Sequence, residues 1–374
     1  MALPEFLQQL VEPWYRSLSD PATAQEESLR TLISGYRRTE YGARHGADGV
    51  QTVADYTRAF PVVRYAGLES EIDQVRSGNF ASLLPEPVAR WVMTRGSTGR
   101  SKIVPATETY LSQILTLGAR AIVNFASRLD DMEVLEGGVL NLNFPSEVAA
   151  LQTPGREEMY GYSSGTYAKL NPSLGAASLV PRQEEIDSLG GGITRADWEK
   201  RFELVYEKAK GADVKSVMGV TPVILSFANF VRRKKHVKPK EVWRMKGLFC
   251  TSVAKIQTRY APQLKFLYGD VPVVEMYTAT EGIFAQQLDD LPYVSPNYDA
   301  YLFEVQGPKG MKPLHELKPR EWGRVVVSTP LFPRYDIGDL IESMGKGYFR
   351  VFGRAKAATL AEHRLFNLMT GRFF

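Results

Sequence analysis

Apolar positions recur at helical spacing early in the chain. Leu29, Leu32, Ile33 and Tyr36 fall at i, i+3, i+4 and i+7, the stripe of an amphipathic helix. Leu68, Ile72 and Val75 repeat that spacing and predict a second helix ending near Gly78. Between the two, TEYGARHG reads as a turn-rich segment and FPVVRY as a short strand or extended lead-in. Residues from Trp91 to Val104 read as strand, Gly-rich loop and second strand at Lys102–Val104. A helix is predicted after Pro105, with Thr107 as its cap and Leu111, Ile114 and Leu115 sharing a face.

Gly, Ser, Pro and Tyr dominate from Gly137 to Pro181, which predicts mostly strand and loop; Trp198, Phe202 and Val205 then mark another helix. Residues 215–250 have the pattern of a βαβ unit: KSVMGV, a helix beginning at Pro222, and GLFCTS. VPVVEMY and RVVVSTP are two later strands, each leading into a polar motif. Strands alternating with helices in this way predict an α/β architecture. The basic run RRKKHVKPK at 232–240 reads as a solvated loop.

Composition narrows the class. A chain of 374 residues can bury one large core or two packed subdomains. At 44% hydrophobic and 24% charged residues, with mean hydropathy −0.22, it is that of a soluble globular protein. A net charge of +4 is small for this length and gives no sign of a nucleic-acid partner. One cysteine, Cys250, excludes an internal disulfide, and four scattered histidines show no zinc-ligand spacing. The first 20 residues lack a basic leader and carry acidic residues and a proline, and no apolar run reaches the roughly 18 residues of a membrane span. The expectation is a cytoplasmic monomer with no membrane partner.

Three polar motifs remain. In Thr94-Arg95-Gly96-Ser97-Thr98-Gly99-Arg100-Ser101-Lys102, glycines can turn backbone N–H groups inward as an anion nest, Ser97 and Thr98 add hydroxyl donors, and Lys102 can reach a terminal phosphate. The spacing is not that of a Walker A loop. A polar turn between two strands accounts for the same residues if nothing accompanies them. Tyr277-Thr278-Ala279-Thr280-Glu281-Gly282 follows an apolar strand, where α/β proteins place ligand loops. There a tyrosine can offer a flat face to a base, a threonine a donor to phosphate, and a glutamate a ligand to Mg²⁺, though taken alone the tyrosine reads first as core packing and the glutamate as a solvated turn. Arg334-Tyr335-Asp336-Ile337-Gly338-Asp339 ends in an aspartate able to accept both hydroxyls of a ribose.

Taken in order, the three segments resemble the phosphate loop, the Y-x-x-x-E loop and the R-Y-x-x-G-D turn of the acyl-adenylating enzymes, which include luciferases, acyl-CoA ligases and peptide-synthetase adenylation domains. The leader, TEYGARHG followed by FPVVRYAGLESEIDQVRSGN, resembles that of the auxin- and jasmonate-conjugating acyl-amido synthetases, a front end that ordinary CoA ligases lack. The resemblance covers roughly residues 30–354. It implies a large multi-layer N-terminal domain over residues 1–350, with mixed sheets flanked by helices and a small β-barrel-like subdomain, and a hinge with the remnant of a C-terminal domain at 351–374.

The same resemblance implies ATP and Mg²⁺ as cofactors and ATP-dependent activation of a carboxylic acid to acyl-AMP, then acyl transfer to an amine. Lys102, Thr280 and Glu281 would be catalytic, with Glu281 also holding the metal. Gly96, Ser97, Thr98, Gly99, Tyr277, Thr278, Asp339 and Arg354 would bind the nucleotide, Tyr277 on the adenine and Asp339 on the ribose. Arg95 stands where the family usually has serine. Residues 143–165 and 217–230 would wall a pocket for an aromatic or fatty acid, the acceptor being an amine or thiol. An acyl-CoA or acyl-carrier-protein ligase, and a non-catalytic nucleotide- or acyl-adenylate-binding module, are the alternatives. Phe374 is 20 residues beyond Arg354, too few for a domain of about 100 residues, so binding of ATP and acid with slow adenylation and impaired transfer is expected.

Overall fold

The computed structural model describes residues 4–96, 101–171, 173–174 and 177–369. Five helices form the leader: α1 (Glu5–Ser19), α2 (Pro21–Tyr36), α3 (Glu40–Arg44), α4 (Val53–Ala59) and α5 (Glu69–Arg76). The periodic stripe of α2 is buried as its spacing predicts, and so are Leu68, Ile72 and Val75 around α5. TEYGARHG is not simply turn. Thr39 caps Gly42 N–H at 2.9 Å and starts α3, and the chain leaves that helix through Gly46 at φ +68. FPVVRY is extended, and Val63 bridges Tyr335 in the distant motif.

Strands β1 (Val88–Met93) and β2 (Ile103–Thr107) form the antiparallel hairpin that carries the phosphate-loop motif. Thr107 caps the 22-residue helix α6 (Glu108–Leu129) by accepting from Tyr110 N–H. Next come β3 (Gly138–Leu140), β4 (Ala149–Thr153), β5 (Arg156–Tyr162), α7 (Ser163–Leu170), β6 (Ser173–Leu174), β7 (Ala177–Val180), α8 (Gln183–Asp187) and α9 (Arg195–Ala209). Helix α7 departs from the strand-and-loop expectation for this stretch: the Gly/Ser content that suggested a loop lets Gly165 press against Phe144 O, where a Cβ would sit 2.0 Å away.

The predicted βαβ unit is present as β8 (Val214–Val220), α10 (Thr221–Lys234) and β9 (Gly247–Thr251), with a short α11 (Pro239–Val242) between. The basic run 232–240 therefore starts as the last turn of α10, where cations suit the helix dipole, rather than as loop throughout. Helix α12 (Ala261–Tyr268), strands β10 (Val273–Ala279), β11 (Gly282–Gln286), β12 (Ser295–Pro296), β13 (Leu302–Gly307), β14 (Gly310–Pro313), β15 (Trp322–Ser328), β16 (Tyr335–Gly345) and β17 (Tyr348–Arg354), and helix α13 (Ala357–Met369) complete the order.

Among the described residues the strands form three sheets. The largest runs β12-β11-β10-β9-β8-β3-β7-β6, with the central five strands from β10 to β7 parallel. Being buried on both faces, these strands read as continuous apolar runs. Phe249, Val274 and Met276 meet Ile122 and Phe125 of α6 on one side, while Leu248, Cys250 and Val273 meet α10 and α12 on the other. A four-stranded sheet, β2-β1-β5-β4, carries the hairpin, and a five-stranded antiparallel sheet, β14-β13-β15-β16-β17, carries the third motif. That last sheet is open, with β14 and β17 as its edges, so the barrel-like subdomain expected is instead an open sheet.

One buried ion pair ties leader to sheet. Arg334, at φ +40, makes a bidentate pair with Glu304 of β13, both bonds 2.8 Å, and its remaining nitrogen donates to Thr57 O and Phe60 O at the end of α4. Glu304→Ala would strand a nearly buried guanidinium. The predicted loss is about 3–5 kcal/mol, read by urea denaturation; a loss under about 1 kcal/mol, the range of exposed pairs, would show the pair to be dispensable.

Candidate active site

All three motifs open onto one cavity of about 690 Å³, at the carboxyl ends of the parallel strands β8, β9 and β10. In open α/β sheets this is where ligands bind. Of the residues implied by the resemblance, Gly96, Lys102, Tyr277, Thr278, Thr280, Glu281, Asp339 and Arg354 line it. Ser97, Thr98 and Gly99 lie outside the described residues.

The hairpin β1–β2 holds Lys102 in place. Thr94 N–H donates to Lys102 O at 2.9 Å, and Lys102 N–H donates to Thr94 Oγ1 at 3.0 Å. The ammonium donates to the Tyr335 hydroxyl at 2.9 Å and lies 3.9 Å from Glu281 Oε1, while Tyr335 itself donates to Glu281 Oε1 at 3.0 Å. Burial, reinforced by Glu281, pushes the Tyr335 hydroxyl far above the ordinary phenol range, so it remains a neutral relay between cation and anion. Tyr335 was not singled out from the sequence, although it lies inside the quoted motif.

Thr280 and Glu281 form the two-residue turn between β10 and β11, where Ala279 pairs with Gly282. Two tyrosines pin this turn: Tyr110 of α6 and Tyr167 of α7 both donate to Thr280 O, and Thr280 Oγ1 meets Ser163 Oγ at 3.2 Å. Thr278 Oγ1 shares a short hydrogen bond with Thr251 Oγ1 at the end of β9. These partners come from three separate segments, which no local motif foretells.

Side chains on β16 alternate. Tyr335, Ile337 and Asp339 are on the cavity side, whereas Arg334 and Asp336 serve the leader, Asp336 Oδ2 accepting from Arg64 Nε at 2.9 Å. Asp339 pairs with Arg354 across β16 and β17, and its carboxylate receives Arg354 Nε at 3.0 Å and the Tyr277 hydroxyl at 2.9 Å. Burial raises the Asp339 carboxyl, while Arg354 and Tyr277 act against that shift. The Tyr277 ring packs on Phe284 and edge-on to Phe349. Tyr277 is thus fastened to Asp339, a tie that its reading as a flat platform did not include.

The expected acid-pocket walls are present in part. Asn143, Tyr162, Ser163, Met218 and Val220 line the cavity, but Ile224, Phe227 and Phe230 of α10 are core. Their place is taken by Ile114, Leu115 and Gly118 of α6. A glycine inside a long helix, here facing Ile283 at 3.5 Å from its would-be Cβ, was the available signal.

Glu275 was also missed. It lines the cavity from the strand face it shares with Tyr277, is 9% exposed, and has no side-chain hydrogen bond among the described residues. Cys250 beside it is inert: fully buried, its thiol is pushed up to about 12 by burial.

Cavity, sheet order and motif placement define a protein with the fold of the acyl-adenylating enzymes. The chain superposes on a 2-hydroxyisobutyryl-CoA ligase solved with 2-HIB-AMP and CoA at TM-score 0.62 and 15% identity, covering 90% of this chain and 74% of the ligase. It superposes on the AtGH3.15 acyl acid amido synthetase solved with 2,4-DB at TM-score 0.74 and 16% identity, covering 95% of this chain and 72% of the other. Within that fold, residues 13–188 match the GH3 family N-terminal domain. The indole-3-acetic acid-amido synthetase GH3.2 of Arabidopsis thaliana is 29% identical over 96 residues, 25% of this chain and 18% of that protein. These likenesses bear out the resemblance drawn from the motifs and the leader. No helix among the described residues is long and apolar enough to cross a membrane.

Burial holds the Glu275 carboxyl neutral up to about 8, against an ordinary value of 4.5. Between those values the folded chain keeps a proton that the unfolded chain has released. The stability contributed by this proton is complete below about pH 4.5 and is lost as pH rises through about 8, by up to ~1.4 kcal/mol per unit. Glu275→Gln is predicted to flatten that part of the curve: its stability relative to the parent, followed by denaturant melts, rises steadily from about pH 5 to about pH 8. Parallel curves would mean that Glu275 is solvated and ordinary.

Proposed function

We propose that this protein joins a carboxylic acid to AMP, using ATP and releasing pyrophosphate, and that the acyl group then passes to an amine. The observation that carries this reading is the convergence of Lys102, Glu281 and Asp339, from three distant segments, on one cavity. In the reaction a carboxylate oxygen of the acid bonds to the α-phosphorus of ATP as the bond to pyrophosphate breaks, so no protein nucleophile is required. The protein's task is to position the reactants and to offset charge.

Asp339 fits a ribose: Arg354 and Tyr277 fix its carboxylate, and lone pairs remain to accept two hydroxyls. Tyr277 would border the adenine, and Glu275, two residues earlier on the same face, offers an acceptor for an N–H donor there. Lys102 would swing between Tyr335 and a phosphate oxygen, and Thr278 and Thr280 would donate hydroxyl protons to phosphate. Glu281 fits Mg²⁺: it lines the cavity, its contacts with Tyr335 and Lys102 both fall on Oε1, and Mg²⁺ is commonly held by one or two carboxylates with water and phosphate. When bound, Mg²⁺ would supply charge to the phosphate oxygens that pyrophosphate carries away.

The amide-forming reading is preferred over thioester formation because residues 13–188, which include most of the leader, match the GH3 family N-terminal domain. A monomer acting in the cytoplasm, with a domain over residues 1–350 followed by a hinge, belongs to the same proposal. An aromatic or fatty acid suits the apolar α6 wall.

ATP–pyrophosphate exchange, run against aromatic and aliphatic acids with Mg²⁺, tests the reading. The predicted outcome is acid-dependent exchange that falls on the order of a hundredfold or more in both Glu281→Ala and Lys102→Ala. Exchange that needs no acid, or that survives Glu281→Ala, would overturn it.

A further inference from the structure

The cations around the cavity are not equally provided for. Lys102 has Glu281 and Tyr335, Arg354 has Asp339, and Lys255 is paired with Glu362, while Arg259 and Lys356 are exposed to water. Arg95 lines the same cavity and has no hydrogen bond or carboxylate partner among the described residues; its guanidinium lies over the Phe144 ring, 5.6 Å from the centroid. The nearby carboxylates of the Phe144 segment are already engaged, Glu147 by Lys169, and Asp187 by Ser146, Gln183 and Lys169.

Arg95 is partly buried, and a cation partly withdrawn from water without a counter-charge carries a desolvation cost. Burial accordingly lowers the Arg95 pKa, with Arg354 pulling the same way. A ring face beneath a guanidinium leaves its in-plane N–H fork free, and that fork matches a carboxylate in two bonds.

The direction of the side chain says which ligand it meets. Thr94 and Lys102 face each other across the hairpin, yet the side chains of the two legs diverge. Lys102 goes toward Tyr65, Tyr335 and Glu281, whereas Arg95 goes to Phe144, which clusters with Tyr162 and Val220. Tyr162 and Val220 line the cavity together with Met218 and the α6 residues Ile114 and Leu115.

We propose that Arg95 is a carboxylate receptor beside the Phe144–Tyr162–Val220 wall of the cavity, selecting an acid that bears a second carboxylate besides the one that reacts. This rests on the acid-activation reading above and names its substrate class. Charge-assisted bonds of this kind favour a diacid over its monoacid counterpart by on the order of ten- to a hundredfold.

The test uses matched pairs, hexanoate with adipate and phenylacetate with 4-carboxyphenylacetate, titrated calorimetrically into the full chain in the presence of AMP. The parent protein is expected to prefer the diacid of at least one pair by tenfold or more. Arg95→Ala and Arg95→Gln should both remove that preference while ATP affinity moves by less than about threefold; two variants with unchanged melting temperatures guard against misfolding. Equal affinity within every pair, including no binding of either acid, overturns the inference. So does a variant that loses ATP or free amino acids instead of the diacid. Silence in pyrophosphate exchange with the diacid preference intact would sink the adenylation reading alone, and exchange on monoacids without a preference would sink this inference alone.

Discussion

Consecutive side chains of a strand point to opposite faces, and in β16 this divides one short motif between two tasks. Arg334 and Asp336 look away from the cavity: the first holds Glu304 of β13 and the leader carbonyls ending α4, and the second holds Arg64 of the leader. Tyr335 and Asp339 look inward, to Glu281 and Tyr277. A slip of one residue would exchange the sets, bringing Arg334 into the cavity and taking Asp339 out of it. The Arg334–Glu304 pair opposes such a slip, because a guanidinium with four buried acceptors cannot be moved without leaving them unsatisfied. Gly338, at φ +82, supplies the local freedom; a Cβ there would meet Arg354 Nη1 at an ordinary 3.5 Å, so it is the backbone angle that calls for glycine.

Why the leader and the active site belong together follows from the same contacts. Val63 extends beside Tyr335, Tyr65 donates to Ile103 O in the phosphate-loop hairpin, and the Lys102 ammonium lies over the Tyr65 ring. The leader is therefore a brace between two of the three motifs. Its match to the GH3 family and the convergence of the motifs report one arrangement from two directions.

Much of this was legible beforehand, where a local pattern carries the information. The α2 stripe, the Thr107 cap and the βαβ unit at 214–251 depend on spacing within one segment, and they stand as predicted. The motifs were legible as a set because their order is informative where each alone is weak. What escaped is non-local. Tyr110 and Tyr167 act on Thr280 across more than a hundred residues, and neither carries a signature beyond being a tyrosine in a helix. Glu275 read as one polar residue in an apolar strand; that it lines a cavity without a partner is a property of the packing around it. Helix α7 was hidden because its glycine serves close contact with Phe144 O, so a residue that usually weakens a helix is required here.

The polar groups of the cavity differ in how firmly they are held, and the difference suits their tasks. Asp339 and Arg354 occupy paired positions on adjacent strands, so their ion pair is fixed by the sheet, and Tyr277 approaches from a third strand. A ligand hydroxyl meeting Asp339 finds it already oriented, at little further entropic cost. Lys102 is different. Its strongest partner is a neutral hydroxyl, its carboxylate is 3.9 Å away, and its stem has four rotatable bonds. On the proposed function, exchanging a phenol for a phosphate oxygen would give up a neutral hydrogen bond and gain a charged one, and Tyr335 would keep Glu281 supplied with a donor while the lysine moved. On the proposed function, the end that would hold the nucleoside is rigid and the end that would hold the phosphates is adjustable, the division needed to keep one part of a nucleotide still while charge leaves with the other.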